Sequence, residues 1–155
     1  APYMHFPNRD ALLAAIAQLG FQKLAAVTRP LAELEDLPWR QRFQLGCAAY
    51  VEFSVDNPEL FRVMFMEHNA ASFPGYLTDS LGALQVLSDS IEAGQREGFI
   101  KAGSVALFTN FVCSSLQGLA VLRFDRNNDH VPFAGSTTEQ LAHDFVALML
   151  DGISA

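Results

Sequence analysis

The residues of this chain that could perform acid–base chemistry are its histidines with their acidic neighbours. The histidines are His5, His68, His130 and His143, and an acid adjoins one in the pairs Glu67-His68 and His143-Asp144. Adjacent residues on a helix point in different directions, so neither pair forms a ready acid–base dyad. The sequence also lacks a glycine-rich phosphate loop, a nucleophile elbow and a His-Glu-x-x-His zinc motif. We therefore expect no catalytic residues.

Metal and thiol chemistry is disfavoured for similar reasons. Cys47 and Cys113 lie in apolar stretches, where a free cysteine behaves as a small hydrophobe, and neither belongs to a Cys-x-x-Cys pair. Glu139 and His143 are four residues apart with no second copy, whereas carboxylate-bridged di-iron bundles use a repeated Glu-x-x-His spacing. We expect no disulfide, no metal site and no cofactor.

Aromatic and methionine side chains at helical spacing favour a ligand pocket. Such pockets are mostly apolar, with a few converging polar groups, and in helical bundles they lie between helices. We expect the pocket between a short helix and the penultimate helix, with Trp39 as a possible flat wall. The expected lining residues are Tyr50, Phe61, Met64, Phe65, His68, Phe108, Phe111, Ser115 and Gln117. The alternative is that these side chains are plain core, because core residues show the same spacing.

The elements that must position these residues are helical. The apolar periodicity and the turn residues predict helices over about 8–28, 38–56, 60–66, 76–97, 104–124 and 136–153. Asn8 is the expected N-cap of the first helix, and Arg29-Pro30 its expected stop. Asn57-Pro58 should open the short helix, and Gly98 should close the long one that follows. Ser136 and Glu139 have the spacing of a capping box.

The last two predicted helices are apolar almost all round. A helix with no polar face is buried on both sides. We therefore predict an all-α bundle of about six helices, whose last two helices form a four-helix dimer interface with a partner chain. The expected interface residues are Val105, Val112, Leu116, Leu119, Leu141, Phe145, Leu148 and Met149. The opposite side of the penultimate helix carries Leu107, Phe111, Ser114, Gly118 and Val121.

Composition sets the class of protein and of partner. The 155 residues are typical of one domain, and the chain is 50% hydrophobic with 13 Phe and only 17% charged. The surplus apolar surface should face a partner or a ligand. A net charge of −7 disfavours DNA binding by this chain itself, since DNA affinity depends on clustered Lys and Arg. No uninterrupted apolar run approaches the roughly 18 residues of a membrane span, and we expect a cytoplasmic protein without membrane contact.

Four short segments resemble the TetR-like transcriptional regulators. They are Tyr3-Met4-His5-Phe6 ahead of a capped helix, the stretch from Tyr50 to Phe65, Gly94-Gln95-Arg96-Glu97-Gly98-Phe99-Ile100, and Leu116-Gln117-Gly118-Leu119-Ala120. The last two are similar to the subgroup whose C-terminal domain carries a Trp-His-Gly signature. Here Cys113 stands in place of its Trp and Gln117 in place of its His, and only Gly118 is kept.

The resemblance implies both a domain organisation and a function. Residues 1–7 would be the remnant of a helix-turn-helix DNA-binding domain, with Tyr3 and His5 near DNA, and residues 8–155 the ligand-binding and dimerisation domain. Such a protein senses a small hydrophobic effector as a homodimer and is a repressor that binds its operator only through the N-terminal domain. Gln117 would supply the hydrogen bond to the effector. The alternatives are a structural helical interaction module without a ligand, or a small all-α enzyme.

Overall fold

The computed structural model describes residues 6–65, 74–124 and 136–155. Within these ranges it contains six α-helices: α1 (Arg9–Ala32), α2 (Trp39–Asp56), α3 (Pro58–Met64), α4 (Pro74–Arg96), α5 (Val105–Phe124) and α6 (Thr138–Ile153). The described ranges hold no strand, only an isolated antiparallel bridge between Ile100 and Ser154. The prediction of an all-α fold with about six helices is confirmed.

Helix α1 begins where the sequence indicates but ends later. Asn8 is the N-cap, and its Oδ1 accepts a hydrogen bond from the backbone N of Ala11 at 2.8 Å. The predicted stop at Arg29-Pro30 is wrong, because the helix continues to Ala32 with Pro30 in its last turn. A proline there removes a single backbone donor. The backbone N of Glu33 still donates to the carbonyl of Arg29 at 3.2 Å, which closes the helix.

Asn57 joins α2 to α3. It occupies the N-cap position of α3 with Pro58 in the first turn, as predicted, but α3 starts at Pro58 and ends at Met64, earlier than the predicted 60–66. The Asn57 side chain makes no cap to α3. Its Nδ2 and its backbone N both donate to the carbonyl of Phe53 at 3.0 Å. The amide therefore satisfies the C-terminal end of α2, since both helix ends compete for one side chain.

The ends of the later helices follow local turn chemistry. Gly98 has a φ of 80°, and the N–H groups of Phe99 and Ile100 donate to the carbonyl of Gly94, so the predicted glycine cap is confirmed. The predicted capping box is one residue out of place. Thr137, not Ser136, is the N-cap of α6, and its Oγ1 accepts from the backbone N of Gln140 at 3.1 Å.

The buried side chains form two apolar clusters. The first cluster joins α2, α4, α5 and α6, and includes Trp39, Phe43, Cys47, Val51, Ile91, Val112, Leu116, Leu119, Leu141, Val146 and Met149. The second cluster joins α1, α2, α3 and α5 through Phe21, Leu24, Phe53, Phe61, Met64 and Ala120. Helix α2 contributes to both clusters and is packed on both of its sides.

Most of the residues predicted for the dimer interface are buried inside the single chain. Val112, Leu116, Leu119, Leu141 and Met149 are buried in the first cluster, where the chain itself covers them, and Val105 and Phe145 pack against that cluster. The side chains left exposed on α5 and α6 are Leu107, Phe111, Val121, Leu122 and Leu148. Leu107 is 66% exposed and Leu148 is 72% exposed. The face of α5 that carries Leu107, Phe111, Gly118 and Val121, which the sequence placed opposite the interface, is thus the open one. We call it the α5 apolar face.

Two helices in the described ranges, α1 and α5, are long and apolar enough to span a membrane by length and composition. This differs from the expectation drawn from uninterrupted apolar runs. Both helices contribute buried residues to the clusters above, as the core helices of soluble proteins do. The property follows from their composition and does not by itself indicate a membrane.

The packing of Trp39 gives a first testable prediction. The indole stacks on Phe43 and Phe99, and its Nε1 donates to the carbonyl of Ser90 at 2.8 Å. A Cβ added at Gly94 would lie 2.7 Å from Trp39 Cε2. Gly94→Ala should therefore lower the free energy of unfolding by about 1–3 kcal/mol through overpacking. Urea unfolding measures the change.

The matched control for this prediction is Gly82→Ala on the same helix. An added Cβ at Gly82 meets nothing within 4 Å among the described atoms. This substitution should raise the free energy of unfolding by about 0.5–1 kcal/mol, because alanine restricts the unfolded chain more than glycine does. Equal effects of the two substitutions would contradict the packing described for Trp39.

Candidate ligand-binding cavity

A cavity of about 300 Å³ lies between α1, α2, α4 and α5. This volume is at the lower end of the range of about 300–1,000 Å³ typical of small-molecule sites. From α1 and α2 the wall includes Phe21, Leu24, Thr28, Ala32, Arg42, Phe43, Gly46, Cys47 and Tyr50. The other side of the wall is formed chiefly by α4, from Tyr76 to Ser90, with Phe65, Cys113 and Leu116. The cavity is therefore an intramolecular space that four helices border and that opens to solvent beside exposed side chains such as Leu81 and Phe65.

Gly46 leaves room on the α2 side of this wall. A Cβ added there meets no heavy atom within 4 Å among the described residues. Protein interiors are close-packed, so a helix position that faces open space inside the bundle distinguishes a cavity from ordinary core. Because Gly46 also borders the cavity, its missing side chain widens the space on the α2 side.

The cavity lies elsewhere than the sequence predicted. Of the expected lining residues, Tyr50 and Phe65 border it. Phe61 and Met64 are fully buried in the second cluster, and Phe108 belongs to the first. The prediction placed the cavity between α3 and α5, but the structure places it mainly between α1, α2 and α4. Periodicity identified the apolar residues but not the direction in which each helix faces.

The remaining expected residues have other surroundings. Phe111 is 44% exposed on the α5 apolar face, and Ser115 Oγ donates to the Phe111 carbonyl at 2.8 Å. Trp39 lies in the first cluster and does not border the cavity. His68 and the residues Tyr3 and His5 lie outside the described residues. The described part of the chain contains no group of three or more His, Cys, Asp or Glu that could hold a metal ion.

Tyr50 and Gln117 form a hydrogen bond beside the cavity. The Tyr50 hydroxyl donates to Gln117 Oε1 at 2.5 Å. Burial, with a smaller contribution from nearby Cys113, raises the pKa of Tyr50 well above its usual value, so the phenol stays neutral and acts as the donor. Gln117 was expected to bond the ligand, but its side-chain oxygen accepts from Tyr50 instead. Gln117 does not border the cavity and acts on it only through Tyr50.

Aromatic rings form one end of the cavity. Phe21 makes edge contacts with Phe65 and with Tyr76, at centroid distances of 5.5 and 5.7 Å. Phe61 lies behind Phe65 at 4.7 Å and makes an edge contact with Tyr50 at 5.6 Å. Edge-to-face contacts of this kind hold rings in fixed orientations. This end of the wall is apolar and suits a hydrophobic ligand.

Two thiols also border the cavity, Cys47 and Cys113. Both are free cysteines in the structure. Burial raises the pKa of each thiol above its usual value, so at neutral pH neither is a thiolate. Because the thiolate is the reactive form, these side chains contribute apolar wall and not a nucleophile.

Arg42 is the functional candidate that sequence reasoning missed. It borders the cavity, and its Nε is buried with no hydrogen-bond partner among the described residues. Its Nη2 lies 3.7 Å from Glu97 Oε1. A buried donor without an acceptor costs about 1–3 kcal/mol, and more when the group is charged. The signal was available in the spacing, since Arg42, Gly46 and Tyr50 recur every four residues and share one face of α2.

The arrangement of the helices is shared with solved structures. A Rhodococcus sp. RHA1 protein of unknown function matches 100% of this chain and 78% of its own, with a TM-score of 0.84 and 24% identity. A tetR-family regulatory protein from Rhodococcus RHA1 matches 100% of this chain and 80% of its own, with a TM-score of 0.79 and 20% identity. The TetR-family transcriptional regulator PfmR from Thermus thermophilus matches 99% and 81%, with a TM-score of 0.77 and 18% identity.

Sequence comparison adds nothing to this structural similarity. No protein-family model matches the chain, and no curated protein is significantly similar to it. The solved structures share 24% identity or less with the chain, so their similarity establishes the fold. The fold is TetR-like, as the resemblance of the four short segments implied.

The Tyr50–Gln117 hydrogen bond gives a second testable prediction. Gln117→Leu should lower the free energy of unfolding by about 1–3 kcal/mol, because the Tyr50 hydroxyl loses its acceptor in a largely buried place. Tyr50→Phe should also destabilise the protein. The double variant should be less destabilised than the sum of the single ones by at least about 0.5 kcal/mol. Urea unfolding of the four proteins measures the coupling, and strictly additive effects would contradict the bond.

Proposed function

We propose that this chain is the effector-binding and dimerisation domain of a TetR-like transcriptional repressor in the cytoplasm. The observation that carries the proposal is the cavity of about 300 Å³ that α1, α2 and α4 enclose with α5. The TetR-like fold supports a regulatory role, since two of the matched structures are named as TetR-family regulators. The cavity supplies the site that such a role needs.

The proposed effector is a small, largely apolar molecule. Aromatic and aliphatic side chains provide most of the wall, and hydroxyls, two thiols and the Arg42 guanidinium provide its few polar groups. Transfer of an apolar molecule from water into such a space is favourable in proportion to the apolar area buried. A purely structural module is expected to have a packed interior here, so the cavity favours effector binding over the structural alternative. An enzyme is disfavoured, because no nucleophile or acid–base dyad borders the cavity among the described residues.

The proposed coupling runs through α1. Four residues of α1 border the cavity, so an effector would contact this helix directly: Phe21, Leu24, Thr28 and Ala32. In the proposal, α1 follows a helix-turn-helix unit that contacts DNA, with residues 1–7 as its remnant. Two such units in a dimer must meet half-sites about 34–36 Å apart, so a small movement of α1 in each subunit would prevent simultaneous binding. An effector produces that shift only through its different affinity for the two arrangements, typically about 1–3 kcal/mol.

The proposed dimer uses the α5 apolar face together with Leu148 of α6. These side chains are exposed in the single chain, although they would be favourably buried. Gly118 lies midway along the face and has open space around it, so a second backbone could approach closely. A symmetric dimer would cover the face with its own copy. Burial of this face in a dimer would also explain why α5 is apolar enough to span a membrane.

The cavity itself is tested by filling it. Gly46→Leu should occupy the space beside Gly46 and weaken binding of the neutral apolar dye 1-aminoanthracene by at least about tenfold, that is about 1.4 kcal/mol. Helix stability should be kept or improved, because leucine has the higher helix propensity. Fluorescence titration measures the affinity, and circular dichroism checks the fold.

The matched control for the cavity is Gly82→Leu on α4, where an added Cβ also meets open space but which does not border the cavity. This variant should bind the dye as the original protein does. Unchanged dye binding by Gly46→Leu, with the fold intact, would overturn the assignment of the cavity as the ligand site. Loss of binding in both variants would overturn it as well.

Assembly is tested in solution. The protein should sediment as a homodimer at micromolar concentration without detergent. Phe111→Asp and Leu148→Asp should each yield folded monomer, because a charge at the centre of an apolar interface is desolvated without a partner. Leu45→Asp is the control, since Leu45 is an exposed leucine on a different helix, α2. A monomeric original protein would contradict the proposed dimer, as would dimers in both α5 and α6 variants.

A further inference from the structure

We propose that the cavity accepts an apolar carboxylic acid whose carboxylate is held by the Arg42 side chain. The inference rests on the proposed function, because it names the chemical class of effector for the same cavity. Two observations support it: Arg42 is the one charged residue in the described wall, and its guanidinium makes no hydrogen bond to a described residue.

Arg42 has an unused donor beside the cavity. Its side chain is 19% exposed, and its buried Nε–H has no acceptor among the described residues. The Nη2 atom lies 3.7 Å from Glu97 Oε1, beyond the usual hydrogen-bond distance of about 2.7–3.2 Å. Glu97 is itself partly exposed and does not border the cavity. The ion pair with Glu97 is thus too long for a hydrogen bond, and the two Nη groups keep donors for paired hydrogen bonds to a carboxylate, the geometry for which the guanidinium fork is suited.

Three hydroxyl donors of the wall are already used inside the protein. Thr28 Oγ1 donates to the carbonyl of Leu24 at 3.0 Å, and Ser80 Oγ donates to the carbonyl of Leu77 at 2.9 Å. Tyr50 donates to Gln117, as described above. Arg42 differs from these three groups, because its guanidinium makes an ion pair with Glu97 at 3.7 Å but no hydrogen bond to a described residue.

The charge of the wall favours a monoanion. Arg42 is the only Lys, Arg, Asp or Glu among the described lining residues, although the whole chain carries a net charge of −7. A carboxylate carries one negative charge and is matched by one guanidinium. A phosphate monoester carries about 1.5–2 negative charges at neutral pH and would need a second cation, which the described wall does not provide.

The remaining wall fits the hydrocarbon part of such an acid. Leu24, Leu84 and Leu87 are aliphatic, and the rings of Phe21 and Phe65 form the aromatic end of the cavity. The carboxylate end would lie at Arg42 and the chain among these apolar side chains. The shape of the site thus separates one polar end from an apolar interior.

The test compares octanoate with 1-octanol, which share the chain length but differ in charge. Isothermal titration at neutral pH should show that the protein binds octanoate at least about tenfold more tightly than 1-octanol. Arg42→Gln should weaken octanoate binding by at least about tenfold and change 1-octanol binding by less than about twofold. The matched control is Arg40→Gln, because Arg40 lies on the same helix but pairs with Asp151 at the surface. It should leave both affinities unchanged.

The outcomes distinguish failure of the carboxylate assignment from failure of the proposed function. Equal affinity for octanoate and 1-octanol, both unchanged by Arg42→Gln, would overturn the carboxylate assignment while leaving the cavity as a ligand site. Failure of the original protein to bind either compound or 1-aminoanthracene would overturn the proposed function itself. If Arg42→Gln does not fold, Arg42→Lys takes its place, since it keeps the charge but loses the planar fork. It should reduce the preference for octanoate, and an unchanged preference would also overturn the carboxylate assignment.

Discussion

The rest of the structure depends on the burial of α2 between two apolar clusters. Trp39, Phe43, Cys47 and Val51 are spaced four residues apart and form one row that packs into the first cluster. Phe53, near the end of the same helix, packs into the second cluster. Because α2 contributes to both clusters, as α5 does, the position of α1 and α3 is tied to that of α4 and α6.

The cavity lies beside a second row of α2, which consists of Arg42, Gly46 and Tyr50. This row lacks the bulky apolar side chains of the first row. A large residue at Gly46 would fill the space, and glycine leaves it open. Arg42 places a charge at the edge of that space, and Tyr50 is held in place by Gln117 from α5. The same helix that organises the core therefore also supplies the polar groups of the candidate site, which are fixed because their backbone is fixed.

The composition of α5 links the interior to the surface. One side of this helix completes both clusters through residues such as Val112, Leu116 and Ala120, while Leu107, Phe111 and Val121 remain on the open side. Water-exposed apolar surface of this kind is unfavourable, so a helix without a polar face requires cover on both sides. In the proposed dimer the bundle covers one side and a second subunit the other, which places assembly and the cavity on opposite sides of a single helix.

The sequence by itself determined the helices, because their signals are local. The apolar period, Asn8 as a cap, Pro58 at the start of α3 and Gly98 at the end of α4 each act within a few residues of their own position. Local signals misjudged some helix ends. Thr137 is the cap in place of Ser136, where two adjacent hydroxyls were equally suited, and α1 continues past Pro30 to Ala32. The direction in which each helix face points was not determined by local signals. Periodicity groups Phe61 with Met64 and Phe108 with Val112, but which group meets another helix depends on how the helices are placed in space. Only the tertiary structure decided that Phe65 borders the cavity while Phe111 lies on the α5 apolar face. The tertiary structure also placed Arg42 at an apolar cavity, although arginine normally lies in water. Helices α1 and α4, which are distant from Arg42 in sequence, form the other walls of that cavity.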